Sequence, residues 1–438
     1  LEQAAVAPTS SPTVEAGMTE WHDEIEGQKL RPESLMMSYG YEPKWSEGAV
    51  TSPIFQTSTF SFKTAAAGKH AFELAYGLID AEPGEEMDLI YSRLNNPDLE
   101  IAEGRIALWD DAETAALFKS GMAAITTTLW SYLRPGDVLL ASKPLYGGTH
   151  HFIEHVLPEF GIHVVRFDLV TPNQEIIEQI DAAGGNLKMI LVETPANPTN
   201  DLIDLSVCVR LAERYSTQER TVRVAVDNTF LGPIFQNPLE LGVDIVLYSA
   251  TKYMGGHSDL IAGVASGSRE VMAPIKAMRT FMGTMAGPWP AWLLMRSLMT
   301  LRIRMERQAE NARVVADYLR DHDKVKRVSW LGHIDEDHPH WEIYRRQCKG
   351  PGAMVAFELH GGELEAFRFL DNLRLIKLAV SLGSVESLAE HPGTMTHSEA
   401  SDEEKELFGI TPSLVRLSVG VEYAGDLVLD LEQALKAV

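Results

Sequence analysis

Cysteine is almost absent. The 438 residues contain two, Cys208 and Cys348. That excludes a disulfide framework and a thiolate metal cage, and it suits a reducing cytoplasm. Each reads as a small buried or surface residue. The 14 histidines show no metal-ligand spacing, so no metal site is expected. Basic residues are scarce, 38 against 62 acidic ones, for a net charge of -24. Such a chain repels nucleic acid phosphates and anionic membranes, and both are excluded as main partners. No apolar run is long enough to span a bilayer. The best, Ala291 to Met295, is broken at Arg296 and reads as a buried helix. The start, Leu1 to Gly17, lacks the basic-then-apolar order of a signal peptide and has no initiating Met. It is expected to be disordered or to lie as an arm on a partner subunit.

What is present is an ample core, with 45% hydrophobic residues. The length suits two or three domains, or one large α/β domain with an appendage. No internal repeat is visible. The pattern is irregular to about Asn95, and from about Pro97 to Leu301 strand and helix signals alternate. That alternation marks a parallel sheet covered on both faces. Asp137 to Ala141 and Ile162 to Phe167 read as strands, and Thr149 to Phe160 as a helix. Met305, Ala309, Ala312, Val315 and Leu319 recur at helical spacing. Beyond them, Met354 to Leu359, Ile376 to Val380 and Leu414 to Val419 read as strands of a smaller α/β domain, closed by a helix over Leu427 to Ala437. The expected division is an irregular N-terminal segment over 1–95, an alternating α/β domain over 96–303 and a C-terminal α/β domain over 304–438.

Three apolar runs deliver polar residues at their carboxyl ends. Asp244 to Tyr248 leads into Ser249-Ala250-Thr251-Lys252-Tyr253, Val222 to Val226 ends in Asp227, and Met189 to Val192 ends in Glu193. In an open α/β sheet ligands bind at that edge. A lysine there, with an aspartate on a neighbouring strand, is what pyridoxal phosphate chemistry requires. The lysine forms a Schiff base, and the acid keeps the pyridine nitrogen protonated. Asp227 also fits a plain turn cap. Ser120-Gly121-Met122 opens a helical pattern whose backbone amides can meet a phosphate, with Ser249 and Thr251 beside the lysine. Tyr146, before Gly147-Gly148-Thr149, can stack on a ring and move protons, or simply pack in a turn. Tyr91-Ser92-Arg93 suits phosphate recognition or a solvated loop. Arg416, inside an apolar strand, needs an anion, either a substrate carboxylate or a structural carboxylate. His150 and His151 read as helix surface, and His257 as support for the loop after the lysine.

Taken in order, these segments resemble the Cys/Met-metabolism family of pyridoxal phosphate enzymes. The matching stretches are YSRLNNP (91–97), SGMAAI (120–125), LYGGTH (145–150), ETPANP (193–198), VDNTF (226–230), SATKYMGGHSD (249–259), SLGSVESLAEHPGTMTHS (381–398) and LVRLSVGVE (414–422). The resemblance implies an α/β fold of pyridoxal phosphate fold type I. It also implies a large, mostly parallel seven-stranded sheet domain, a smaller C-terminal α/β domain, and a homotetramer built as a dimer of dimers. Pyridoxal 5'-phosphate is the implied cofactor. By the matching motifs Lys252 holds it, Asp227 meets the pyridine nitrogen with Thr229 beside it, and Tyr146 stacks on the ring. Ser120, Gly121, Met122, Ser249 and Thr251 hold the phosphate, and Tyr91 and Arg93 reach it across the dimer. Asn197, Val380, Ser381 and Arg416 form the substrate side. The implied reaction is γ-elimination from an L-amino acid, as in methionine γ-lyases. γ-Replacement and a cofactor-binding regulator without turnover are the alternatives. Three departures bear on substrate. Gly148 stands where methionine γ-lyases typically have cysteine. Val380 stands where cystathionine-cleaving relatives often have an acidic residue. Asp98 replaces a small hydroxyl residue. The acidic run Asp80 to Asp88 suits a cationic leaving group such as that of canavanine, or is a solvated loop.

Overall fold

A computed structural model describes residues 23–82, 85 and 87–438. The expectation for Leu1 to Gly17 lies outside the described residues, as do Pro83, Gly84 and Glu86 of the acidic run.

The alternating segment forms a seven-stranded sheet. Its spatial order is Thr114–Phe118, Gly263–Gly267, Ile245–Tyr248, Arg223–Asp227, Leu187–Glu193, Val138–Ser142 and His163–Phe167. Gly263–Gly267 runs antiparallel to both of its neighbours, and the other pairs are parallel. The strands are apolar on both faces because helices cover both. Ala225, Ile245 and Leu247 pack towards the helices that carry Ala124, Leu129 and Ile275. Val224 and Val226 pack the other way, against Cys208, Leu211 and Ile180. Burial pushes the Cys208 thiol up to about 12, so it behaves as a small apolar residue, as expected.

The second sheet has five strands in the order Val325–Ser329, Met354–Leu359, Leu414–Ser418, Leu388–Glu390, Lys377–Leu378. The long helix Leu301–Arg320 packs on it. Met305, Ala312, Val315 and Leu319 are buried as expected and Ala309 partly so, with Leu301 buried one turn earlier, and each large apolar side chain contributes roughly 1.5–3 kcal/mol. Pro288–Leu298 is the buried helix expected around Ala291.

Two elements differ from expectation. The helix over Thr149 to Phe160 starts at Gly147 and changes winding, from α to a π turn over Phe152–Val156 and a 3-10 turn over Leu157–Phe160. Pro158 lacks an N–H and cannot extend a regular helix. The strand over Ile376 to Val380 pairs only at Lys377–Leu378. Beyond it the chain turns inward to Ser381, whose φ is +103°, a conformation that non-glycine residues rarely adopt.

Helix starts are capped from the sequence. Ser120 accepts the Ala123 N–H at 3.1 Å, and Asn96 accepts the Asp98 N–H at 3.0 Å with Pro97 at the first helical position. Asp98 in turn accepts the Phe55 N–H at 2.7 Å and so ties the N-terminal segment to this helix.

Gly263 fixes the approach of its strand to the Ser120 helix. A Cβ there would lie 2.0 Å from the Ser120 carbonyl oxygen and 2.8 Å from the Gly121 nitrogen. Gly263→Ala should therefore destabilise the protein by about 1–3 kcal/mol. Thermal denaturation will register this as a lower Tm.

Candidate functional site

The carboxyl ends of three adjacent strands form the floor of one cleft. Glu193 and Asp227 stand in register on neighbouring parallel strands, with Leu247 alongside. Ser249 and Lys252 follow the third strand. A cavity of about 230 Å³ opens there. It is lined by Ser120, Gly121, Met122, Tyr146, Asn197, Asp227, Thr229, Ser249, Thr251 and Lys252, and also by Glu193. Residues separated by up to 132 positions in the chain thus converge because the parallel strands all end at this edge.

Lys252 is mostly buried. Its Nζ donates to Ser381 Oγ at 2.9 Å. Burial, then the Arg416 charge, pull its ammonium down to about 8, against the opposing influence of Glu390. A lysine so placed can supply a free amine near neutral pH. Asp227 accepts from Thr229 Oγ1 at 2.5 Å and from the Thr229 N–H at 3.1 Å. The same Thr229 hydroxyl accepts the Ser249 N–H at 2.9 Å. One threonine therefore links the acid strand to the lysine strand. Thr251 is held against Ala262, donating to its carbonyl at 3.2 Å and accepting its N–H at 3.1 Å.

The residues fit a pyridoxal phosphate. A Cβ on Gly121 would lie 2.9 Å from Ser249 Cβ, so only glycine lets the helix start and the lysine strand come together. The Ser120 helix start, Ser249 and Thr251 make a small-residue, donor-rich cradle for an anion. Tyr146 lies 43% exposed on the cavity wall. A Cβ on Gly148 would meet the Tyr146 ring at 2.9 Å and Met122 Sδ at 3.2 Å. A side chain at 148 must displace one of them.

Arg416 is buried and sits one layer behind the cavity. It is in register with Glu390 on the neighbouring antiparallel strand. Its Nη1 pairs with Glu390 Oε1 at 2.7 Å and donates to Asn197 Oδ1 at 2.9 Å. Its Nη2 donates to the Ser381 carbonyl at 2.8 Å. Val380 is 54% exposed and does not line the cavity. Tyr91 and Arg93 do not line it either. Arg93 donates to the Thr280 carbonyl at 3.0 Å and lies over the Tyr91 ring.

Three positions have roles that the sequence reading did not assign. Glu193 accepts the Tyr146 N–H at 2.7 Å and the Asn197 N–H at 2.9 Å. It thereby sets the segments carrying both residues. Burial, then the Asp227 charge, push its carboxyl up. Glu390 partners Arg416, and a charge inside the apolar Leu388–Glu390 strand was its available signal. Arg304, within an ordinary amphipathic helix, donates to the Tyr253, Met254 and Ser297 carbonyls at 2.7, 3.3 and 2.9 Å, pinning the loop after Lys252. His257 supports that loop as expected, with Nδ1 2.7 Å from the Gly255 carbonyl. His150 is not helix surface but half-buried, 3.3 Å from Arg166 Nη1 on the His163–Phe167 strand.

The lysine environment has a direct consequence. The rate at which apoprotein takes up pyridoxal phosphate should rise with pH and level off near 8, not near the ordinary 10.5. Only the unprotonated amine attacks the aldehyde. Stopped-flow visible absorbance across pH 6 to 10 measures this, and Lys252→Ala should show no such phase.

Comparison with known proteins agrees with this geometry. Residues 33–436 match the family described as Cys/Met metabolism PLP-dependent enzyme. L-methionine gamma-lyase from Fusobacterium nucleatum is 42% identical over 393 residues, 89% of this chain and 94% of that protein. Cystathionine gamma-lyase from Bos taurus is 37% identical over 401 residues, 91% and 92% respectively. The solved structure of cystathionine gamma synthase from Xanthomonas oryzae pv. oryzae, in complex with aminoacrylate and cysteine, has a TM-score of 0.82 at 32% identity. It covers 94% of this chain and 99% of that one. With the fold shared over nearly the whole length and the family pattern running from Glu33 to Lys436, the chain belongs to the Cys/Met-metabolism family of pyridoxal phosphate-dependent enzymes.

Proposed function

We propose that this protein is a γ-lyase. It takes an L-amino acid with a leaving group on Cγ and water, and yields the released γ-substituent, 2-oxobutanoate and ammonia. The observation that carries this is the contact between Lys252 and Ser381. It places the amine 2.9 Å from a residue whose carbonyl holds Arg416, so the base lies beside the group able to take an α-carboxylate. The bound cofactor supplies an electron sink that acidifies the α- and β-protons. Lys252 would take the α-proton and pass protons from its side of the cleft. Arg416, Asn197 and Ser381 orient the carboxylate. Tyr146 protonates the departing γ-group. Ser120, Gly121, Met122, Ser249 and Thr251 hold the phosphate, and Asp227 with Thr229 meets the pyridine nitrogen.

The lyase reading is supported by relatives of about 40% identity named L-methionine gamma-lyase. The resemblance to solved cystathionine gamma synthases makes γ-replacement the second reading. Mass spectrometry of products from methionine, cystathionine, O-acylhomoserines and canavanine tests both. The lyase gives 2-oxobutanoate without an added nucleophile. A product that appears only when cysteine or sulfide is supplied overturns it.

Tyr91 and Arg93 are assigned to the neighbouring subunit's site in a homotetramer of the cytoplasm. Their position outside the cavity of their own chain supports this. Arg93→Ala and Lys252→Ala subunits should each be inactive, and mixed dimers should regain part of the activity. Proven heterodimers that stay inactive overturn the assignment.

The acidic run travels with Tyr91, since the Phe60 N–H bonds the Ile90 carbonyl and Thr59 bridges Tyr91. Within it Glu85 already pairs with His70 at 2.6 Å, which leaves Asp80, Glu82 and Asp88 as the available charges among the described residues. With no acidic residue at position 380 to meet a distal ammonium, cystathionine should be a poorer substrate than a neutral thioether or a cationic γ-substituent such as that of canavanine. Glu82→Gln should lower kcat/KM for canavanine and leave methionine unchanged. Equal effects on both substrates would reduce the run to a solvated loop.

A further inference from the structure

Arg416 serves more than one acceptor. An Nη nitrogen carries two hydrogens, and those of Nη1 go to Glu390 and Asn197. Nη2 bonds the Ser381 carbonyl. The Nε–H is buried and has no partner. One side of the guanidinium is therefore taken by the protein's own carboxylate, and the Nε side retains donor capacity.

Glu390 is fully buried. Its Oε1 accepts from Arg416 and from Thr396 Oγ1 at 2.9 Å. Its Oε2 is buried with no partner, so a proton there displaces no existing bond. The charged neighbours are few. Arg416 faces it from the adjacent strand, and Lys252 acts from the loop after the Ile245–Tyr248 strand. His391, next along its own strand, is tied up by Thr394 and the Pro412 carbonyl. His397, buried near Arg416, is held down to about 4 and is neutral. Glu193 and Tyr253 reach Arg416 from the other side. Arg416 is thus the single permanent cation among these neighbours. A second carboxylate on it places two buried anions on one guanidinium, and like charges that close disfavour joint ionisation. Burial already pushes Glu390 up, against the pull of Arg416.

We propose that Glu390 is a positioning residue that exchanges a proton with substrate binding. As a carboxylate it anchors Arg416 in the free enzyme, and it takes up one proton when the α-carboxylate of the substrate docks on the Nε side of Arg416. This rests on the assignment of Arg416 as the carboxylate receptor made above. The consequence is that substrate affinity depends on pH through a residue that does not line the cavity.

The test uses holoenzyme and butanoate, which has the carboxylate without the amine and does not exchange with the cofactor. Calorimetric titration in buffers of different ionisation enthalpy gives the protons taken up per site. Wild type should take up close to one more proton than Glu390→Gln, which keeps an oxygen acceptor for Arg416 and Thr396. Wild-type affinity should also weaken by about tenfold per pH unit across the neutral range, and the variant's profile should be flat. A flat wild-type profile overturns the proposal even where the variant fails to fold. Equal proton uptake in both proteins overturns it as well. Arg416→Gln separates the two claims. Undiminished butanoate binding in that variant defeats the receptor assignment. Lost binding, with no proton uptake in wild type, defeats only the role of Glu390.

Discussion

A buried guanidinium holds the two sheets in one arrangement. Arg416 belongs to the small sheet, yet its donors reach Asn197 after a strand of the large one, as well as Ser381 in the loop between the Lys377–Leu378 and Leu388–Glu390 strands. Its ion pair with Glu390 is almost wholly withdrawn from water, at 3% and 0% side-chain exposure. Removing one member of such a pair leaves a buried charge unpaired, typically at a cost of about 3–5 kcal/mol. The wall of the cleft is therefore set by charge satisfaction as much as by packing. Asn200 adds a second joint, donating to the Ser329 and Met354 carbonyls at 3.0 and 3.1 Å.

That joint also acts on the lysine. Lys252 loses proton affinity chiefly by burial and secondarily through Arg416, while Glu390 works the other way. Holding Arg416 beside Glu390 consequently limits how far the lysine is depressed. On the floor of the cleft, Glu193 and Asp227 are neighbouring carboxyls on adjacent strands, and burial raises both. Thr229 donates to Asp227 twice and so favours its charged form.

Much of the site was legible because the chemistry resides in contiguous motifs. The lysine, its flanking hydroxyl residues, the strand-end aspartate and the Ser120 helix start each combine a recognisable residue type with a recognisable local element. The parallel sheet brings their ends together without further information. The less legible residues act at a distance. Nothing beside Arg304 in the sequence shows that it crosses to the lysine loop, and nothing near Glu193 shows that it receives the Tyr146 N–H from a distant segment. The strand expected over Ile376 to Val380 failed at its end for a similar reason. Ser381 must reach both Lys252 and Arg416, and that requirement overrides the local β pattern.

The sequence by itself determined the class of sheet, the cofactor chemistry and the family, because apolar periodicity and short motifs are local properties. It also set expectations about partners, since a charge of -24 and two cysteines are properties of the whole chain. Only the tertiary structure decided which charges meet. Arg416 faces a carboxylate 26 residues away across an antiparallel register, and Tyr91 and Arg93 fall outside the cavity of their own chain. Electrostatic partnership depends on distances of a few ångströms and on exclusion of water, and neither is encoded by any one segment.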